Sequence, residues 1–115
     1  MSITRHGIGP IMSQVVEDGG TVYLQGFTAD DKNADIKTQT GQVLAKIDKA
    51  LAVAGSDKSH LLSAQIFVSE IGLRPQLSEV WTLWIDPGNP PTRGCVGVPL
   101  EGGTKVEIVV VAKKK

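Results

Sequence analysis

The sequence feature that most constrains the fold is the run KVEIVVVA at residues 105–112. Its β-branched residues suit a pleated, packed surface, so the run is predicted to be a strand. Residues 90–98 alternate in polarity and predict a second strand. The link between them contains Gly102 and Gly103, which can supply the positive φ angles of a tight reversal. The sequence therefore predicts that the two strands pair as a β-hairpin.

Such a hairpin would bring three reactive side chains together. In an antiparallel pair with this reversal, Glu107 lies opposite Arg93 or Cys95, and all three share one face. Two interpretations stay open. Arg93 and Glu107 form a cross-strand ion pair on a solvated face, or they belong to a site. In such a site the guanidinium binds a carboxylate, Glu107 acts as a base or holds water, and the thiol lies nearby.

Length and charge limit the functional classes. The chain has 115 residues, 41% of them hydrophobic, which predicts one domain at residues 1–115 with a single core. Formal net charge is +0 with no basic stripe, so no nucleic-acid partner is expected. We find no signal peptide and no apolar run long enough to span a bilayer, so we expect a cytoplasmic protein without a membrane partner.

Metal-binding patterns are missing from the sequence. Cys95 is the single cysteine, which excludes an internal disulfide or a thiolate cluster. His6 and His60 have no metal-ligand spacing. We therefore expect no metal.

The first third of the chain predicts short strands. Strands are expected at residues 2–5, 13–17 and 21–25, and the last two are joined by a turn at Asp18-Gly19-Gly20. Residues 7–10 are expected to form a loop. Gly26 then either terminates a strand or allows a ligand or another backbone to approach closely.

Residues 34–54 predict an amphipathic helix. Asp30, Asp31 and Asn33 are candidate caps, and Gly55 can end the helix. Gly41 costs up to about 1 kcal/mol relative to Ala, which suggests close packing there. The apolar stripe contains Ile36, Thr40, Val43, Leu44, Ile47, Leu51 and Ala54.

The next segment predicts a strand followed by a second helix. Residues 61–69 alternate, with one apolar and one partly polar side. Pro75 is suited to the first turn of a helix. The expected core faces contain Leu62, Ala64, Ile66 and Val68 in the strand, and Leu77, Val80, Trp81 and Trp84 in the helix, where packing is favoured over a ligand cage.

These elements predict an α+β, two-layer domain. Two helices would cover one face of a mixed sheet. The other face carries apolar and polar side chains together, which suggests an oligomer built sheet against sheet.

Several segments, taken in order, resemble the Rid family (reactive intermediate deaminases, also called the YjgF family). They are Ile8-Gly9-Pro10, Ser13-Gln14-Val15-Val16, Val22-Tyr23-Leu24-Gln25-Gly26, Ala54-Gly55, Pro91-Thr92-Arg93-Gly94-Cys95-Val96 and Val106-Glu107-Ile108. The resemblance implies a chorismate-mutase-like fold and a homotrimer with clefts between subunits. It also implies hydrolysis of 2-imino and 2-enamino acids to 2-keto acids and ammonia.

By position, Arg93 resembles the family arginine that grips the substrate carboxylate, and Glu107 the glutamate that holds or activates water. Gly26 and Cys95 resemble residues that line the cleft. A protonated imine is already electrophilic, so the resemblance implies no metal or cofactor. The family tyrosine is replaced by Met12, and the family glutamine by Phe27. These changes indicate a divergent branch, with Met12 and Phe27 forming a more apolar wall beside the substrate.

Three functions remain open at this point. The first is an imine or enamine deaminase. The second is a non-catalytic binder of small carboxylates that uses the same cleft. The third is a regulatory interaction protein, because the family has been linked to translation inhibition and chaperone-like roles.

Overall fold

A mixed seven-stranded sheet with two helices on one face forms the structure, a computed structural model that describes residues 2–115. The strand order is β1-β2-β3-β7-β5-β6, β4 pairs with β7, and only the β5–β6 pair is parallel. The α+β prediction is confirmed. The strands are β1 (Ile3–Ile8), β2 (Ser13–Asp18), β3 (Thr21–Leu24), β4 (Phe27–Thr28), β5 (Leu61–Val68), β6 (Thr92–Gly97) and β7 (Val106–Lys113), and the helices are α1 (Ile36–Val53) and α2 (Arg74–Trp84).

The ends of α1 show how local sequence fixes the helix. Its cap is Asp35, whose side chain accepts a hydrogen bond from the Thr38 amide at 2.8 Å, so the three predicted caps are wrong. At the other end Gly55 has φ +70°, as predicted. The Gly55 amide donates to Ala52 and the Ser56 amide to Leu51, the two bonds of a Schellman motif.

The apolar stripe of α1 is fully buried against the sheet, as the periodicity predicts. Gly41 is exposed, and no atom lies within 4 Å of the position that a Cβ would take there. The predicted close packing at Gly41 is therefore wrong. Among residues 2–115, no helix is long and apolar enough to cross a membrane.

The second helix packs largely as predicted. Leu77 and Trp81 are buried, and Trp84 packs partly against the same core. In β5 the register shifts between Leu61 and Ser63, so Leu62 is 49% exposed and its predicted place in the core is wrong.

The N-terminal turn is confirmed. Gly19 and Gly20 have φ 58° and 84°, which matches a two-residue reversal between Asp18 and its partner Thr21. β1 runs on to Ile8, beyond its predicted end.

The predicted hairpin of β6 and β7 is wrong, because β5 lies between the two strands. The link at residues 98–105 passes over the end of β5, where the Val98 amide donates to Val68 and the Ser69 amide donates to Lys105, both at 2.9 Å. A glycine-rich turn reverses the chain but does not decide which strand pairs with which. Inserting β5 supplies ladder partners to both neighbours.

Candidate functional site

Arg93 and Glu107 lie on opposite faces of the sheet. Arg93 pairs with Ala64, which is buried beneath the helices, whereas Glu107 pairs with Phe67 on the open face. Residues three apart in a strand point to opposite faces, so the predicted common face is wrong. None of the ion pairs between residues 2–115 contains Arg93 or Glu107, which removes the simple ion-pair interpretation.

The first half of the candidate site is the glutamate face, which we define as Gly26, Thr28 and Glu107. A Cβ added to Gly26 would lie 3.0 Å from Cδ of Glu107 and closer still to its Oε2. Gly26 does leave room for a close neighbour, but that neighbour is the side chain of Glu107 and not the ligand or backbone that was predicted. Any side chain at Gly26 would displace that carboxylate.

A cavity of about 530 Å³ adjoins the glutamate face. Thr28, Lys32, Glu107 and the loop at residues 99–104 line it. The loop approaches residue 32 closely, because a Cβ on Gly103 would overlap the Lys32 carbonyl oxygen. The cavity is large enough for a small metabolite and places Glu107 in its wall.

A buried glutamine fixes the cavity loop to α1. Gln39 is fully buried; its amide nitrogen donates to the Gly103 carbonyl at 3.0 Å and its Oε1 accepts from the Lys105 amide at 2.9 Å. Sequence reasoning missed this residue. The available signal was a glutamine next to the apolar stripe, since a buried amide requires partners.

Two lysines fix the position of Thr28. The Lys46 ammonium donates to the Thr28 carbonyl oxygen and to Asp30, both at 2.7 Å. Its hydrogen bond holds the pKa of Asp30 below the usual value. The Lys32 ammonium donates to Thr28 Oγ1 at 3.0 Å. Sequence reasoning also missed Thr28 and Lys32, because no local pattern shows that Thr28 pairs with β7 or that Lys32 reaches its hydroxyl.

The second half of the candidate site is the arginine edge, which we define as Arg93 and Cys95 on β6 with Ser78 and Trp81 on α2. Arg93 is exposed; its Nη2 donates to Ser78 Oγ at 2.9 Å, and its Cζ lies 5.8 Å from the Trp81 ring centroid. Within residues 2–115, Ser78 is the only hydrogen-bond partner of the Arg93 side chain, so the guanidinium retains donors for a planar anion. Cys95 is half-buried and packs against the core beside Ile66.

The two residues of the predicted apolar wall do not line the cavity beside Glu107. Met12 is 49% exposed in the loop between β1 and β2, where its carbonyl accepts from the Gly9 amide at 2.8 Å. Phe27 is 8% exposed and pairs with Ile108 in the core. A single chain therefore brings Phe27 to the helix side of the sheet, opposite to Glu107.

The open face of the sheet is uncovered in a single chain. It carries Tyr23 at 45% and Val96 at 46% exposure, with Phe67, Val109 and Val111 half-buried. Within residues 2–115, no three His, Cys, Asp or Glu side chains are grouped as a metal site requires. The two reactive groups described above are a carboxylate on one face and a guanidinium on the other.

Comparison with known proteins identifies the family. The family model described as Endoribonuclease L-PSP matches residues 8–114. A RutC family protein of Haemophilus influenzae is 45% identical over 116 residues, covering 97% of this chain and 98% of that protein. RutC family protein YoaB of Escherichia coli is 34% identical over 113 residues, with coverage of 97% and 98%.

A solved structure of a YjgF family member from Neisseria meningitidis superposes with a TM-score of 0.96 at 35% identity. The match covers 100% of this chain and 97% of that one, which confirms the fold that the resemblance implied. With this agreement in sequence and in fold over nearly the whole length, the chain belongs to the Rid family, also called the YjgF family.

Proposed function

We propose that this protein hydrolyses 2-imino and 2-enamino acids to 2-keto acids and ammonia, in clefts between the subunits of a homotrimer. The family is linked to imine deamination. The observation that carries the proposal is the Glu107 carboxylate, which lies over Gly26 in the wall of a cavity of about 530 Å³. A carboxylate beside a small-molecule cavity can accept a proton from water.

Arg93 supplies the recognition of the substrate in this proposal. A guanidinium binds a carboxylate through two parallel hydrogen bonds, which also orient the neighbouring imine carbon. The Trp81 ring and the Ser78 hydroxyl fix the guanidinium from one side. The half-buried Cys95 lies two residues along the same strand and lines the substrate end of the cleft.

Assembly into a trimer would bring the two halves of the site together. Arg93 and Glu107 cannot both contact one small substrate within a chain, because they lie on opposite sheet faces. A neighbouring subunit would bring its Arg93 to the glutamate face of the first. The apolar side chains of the open face, Tyr23 and Val96 among them, would then be buried between subunits.

The reaction needs one water and four proton transfers. Glu107 accepts a proton from water while the water oxygen bonds to C2 of the protonated imine. Glu107 returns that proton to the nitrogen of the resulting carbinolamine. As the C–N bond breaks, Glu107 accepts the hydroxyl proton of the carbinolamine and passes it to the departing ammonia, so that the 2-keto acid and ammonium leave. The balance is one protonated imine and one water in, one keto acid and one ammonium out.

The test uses imino acids generated in situ by an amino-acid oxidase. Wild type is expected to accelerate keto-acid formation, and light scattering is expected to give about three chains per particle. Arg93→Ala and Glu107→Gln should each lose most of the activity alone. Co-expressed, the two variants should regain activity in about a quarter of the clefts, since random trimers place an intact Arg93 beside a neighbour's intact Glu107 there.

Each result has a defined consequence. Absence of any regained activity in mixed trimers would exclude the shared cleft. If wild type hydrolyses no imine but small 2-keto acids raise its melting temperature, it is a carboxylate binder. A fully active monomer would exclude both the trimer and the cleft.

A further inference from the structure

We propose that Thr28 is a second hydrogen-bond partner of the attacking water, beside Glu107, and that Lys32 orients the Thr28 hydroxyl. This inference rests on the proposed imine hydrolysis and adds two residues that neither the sequence pattern nor the family resemblance assigned. It follows from the pairing of β4 with β7 and from one hydrogen bond between a lysine and a threonine.

The ladder places Thr28 directly beside Glu107. The two residues are cross-strand partners, so their side chains project from the same face, and both line the cavity. Facing residues have Cβ atoms about 5 Å apart, a spacing that lets one water contact both side chains. A water held by the Glu107 carboxylate therefore lies within reach of the Thr28 hydroxyl.

The direction of the hydrogen bond between Lys32 and Thr28 leaves the hydroxyl proton of Thr28 available as a donor. An ammonium has donors only, so Thr28 Oγ1 accepts from Lys32. No hydrogen bond between residues 2–115 uses the hydroxyl proton of Thr28. That proton can be donated to the water oxygen, while Glu107 accepts one of the water's protons. One lone pair on the oxygen is then left to attack C2.

The surroundings hold Thr28 in place. Lys46 fixes the Thr28 carbonyl from α1, and the Lys32 carbonyl packs against Gly103 in the cavity loop. A hydroxyl fixed on its backbone side and on its oxygen needs little reorganisation when water binds. A surface hydrogen bond without this role would contribute only to stability.

Substitutions at Thr28 test the proposal on the intact protein with the in situ imine assay. Thr28→Val removes the hydroxyl at nearly constant shape and is expected to lower kcat about tenfold with KM nearly unchanged. Thr28→Ser keeps a hydroxyl and should restore most of kcat. Thr21→Val is the matched control, because Thr21 pairs with Lys113 and lies outside the cavity; its kcat should equal that of wild type.

Substitution of Lys32 tests the orienting role. Lys32→Met is expected to lower kcat about threefold, and to lower it no further when Thr28 is already Val. Melting temperature and particle size are measured for every variant, so that a loss of folding or assembly is separated from a loss of chemistry.

The outcomes separate this inference from the proposed function. The inference is overturned if folded Thr28→Val keeps the wild-type kcat. It is also overturned if the losses in kcat for the Thr28 and Lys32 substitutions multiply in the double variant. In both cases imine hydrolysis remains as the proposed function. If Thr28→Val does not fold, the kcat values of Thr28→Ser and Lys32→Met decide. A kcat of Lys32→Met equal to that of wild type overturns the orienting role. A wild type that hydrolyses no imine overturns both proposals.

Discussion

The glutamate face and the arginine edge are built in opposite ways. Glu107 lies on an interior strand, with Thr28 on one side, Phe67 on the other and Gly26 against its carboxylate. Arg93 lies on β6 at the edge of the sheet and is exposed, with its guanidinium against Ser78 and Trp81 of α2. The group proposed for proton transfer lies on a strand that is flanked on both sides by its own chain, whereas the group proposed for binding is accessible to another chain.

This difference suits the two proposed roles, proton transfer for Glu107 and substrate binding for Arg93. Proton transfer requires a position held to a fraction of an ångström, which a doubly flanked strand supplies. A long side chain at a sheet edge can reach a neighbouring molecule instead. Four predictions test this contrast, from the largest expected effect to the smallest.

The largest effect is expected for Glu107→Gln. The substitution keeps the shape but removes the base, so kcat should fall about 10²-fold to 10⁴-fold while KM changes little. Steady-state kinetics with in situ generated imines provide the measurement, after particle size has been checked. A rise in KM alone would show that Glu107 binds substrate and does not handle water.

Arg93→Ala is expected to have the next largest effect. The loss of a two-bond carboxylate partner costs about 2–5 kcal/mol, or about 30-fold to several-thousand-fold in kcat/KM. Arg93→Lys should recover only part of this, because an ammonium lacks the planar fork. The contrast with Glu107 disappears if Arg93→Ala, folded and trimeric, hydrolyses imines at the wild-type rate.

Gly26→Ala tests the precision of the glutamate face. The added Cβ would overlap the Glu107 carboxylate and displace it, and a shift of about 1 Å is expected to lower kcat about a hundredfold. The free energy of unfolding should change much less than kcat, because the φ of Gly26 is not positive. A kcat equal to that of wild type would show that the position of the carboxylate does not limit the rate.

The smallest effect on activity is expected for Gly41→Ala, which is also the matched glycine control. Gly41 is helical and has open space where the Cβ would lie, so the change should raise stability by up to about 1 kcal/mol. Imine hydrolysis should stay at the wild-type rate. Thermal unfolding measures the gain; a lower melting temperature would contradict the open packing at this position.

Local patterns predicted the local structure. The apolar stripe of α1, the glycine at its end and the Asp18-Gly19-Gly20 turn follow from periodicity and from the φ preferences of glycine. Motif order along the chain also predicted the family, which the comparisons confirmed. Arg93 and Glu107 were chosen first from the predicted hairpin of β6 and β7, which is wrong, and then from the same motifs, so their roles stay a prediction until the kinetics are measured.

The geometry of the site could not be predicted locally. Alternation predicts which residues of a strand share a face, but it does not relate that face to the face of another strand. β5 enters between β6 and β7 and separates Arg93 from Glu107. A register shift likewise turned Leu62 outward.

The sequence by itself determined the helices, most strands, the reversing glycines and the family, because each depends on neighbours along the chain. The tertiary structure alone decided that β6 and β7 do not pair, that Gly26 makes room for Glu107, and that Thr28 lies beside that carboxylate. Strand pairing is set by which distant segments satisfy each other's hydrogen bonds while burying one common core. That choice depends on the whole chain at once, so no single stretch of sequence encodes it.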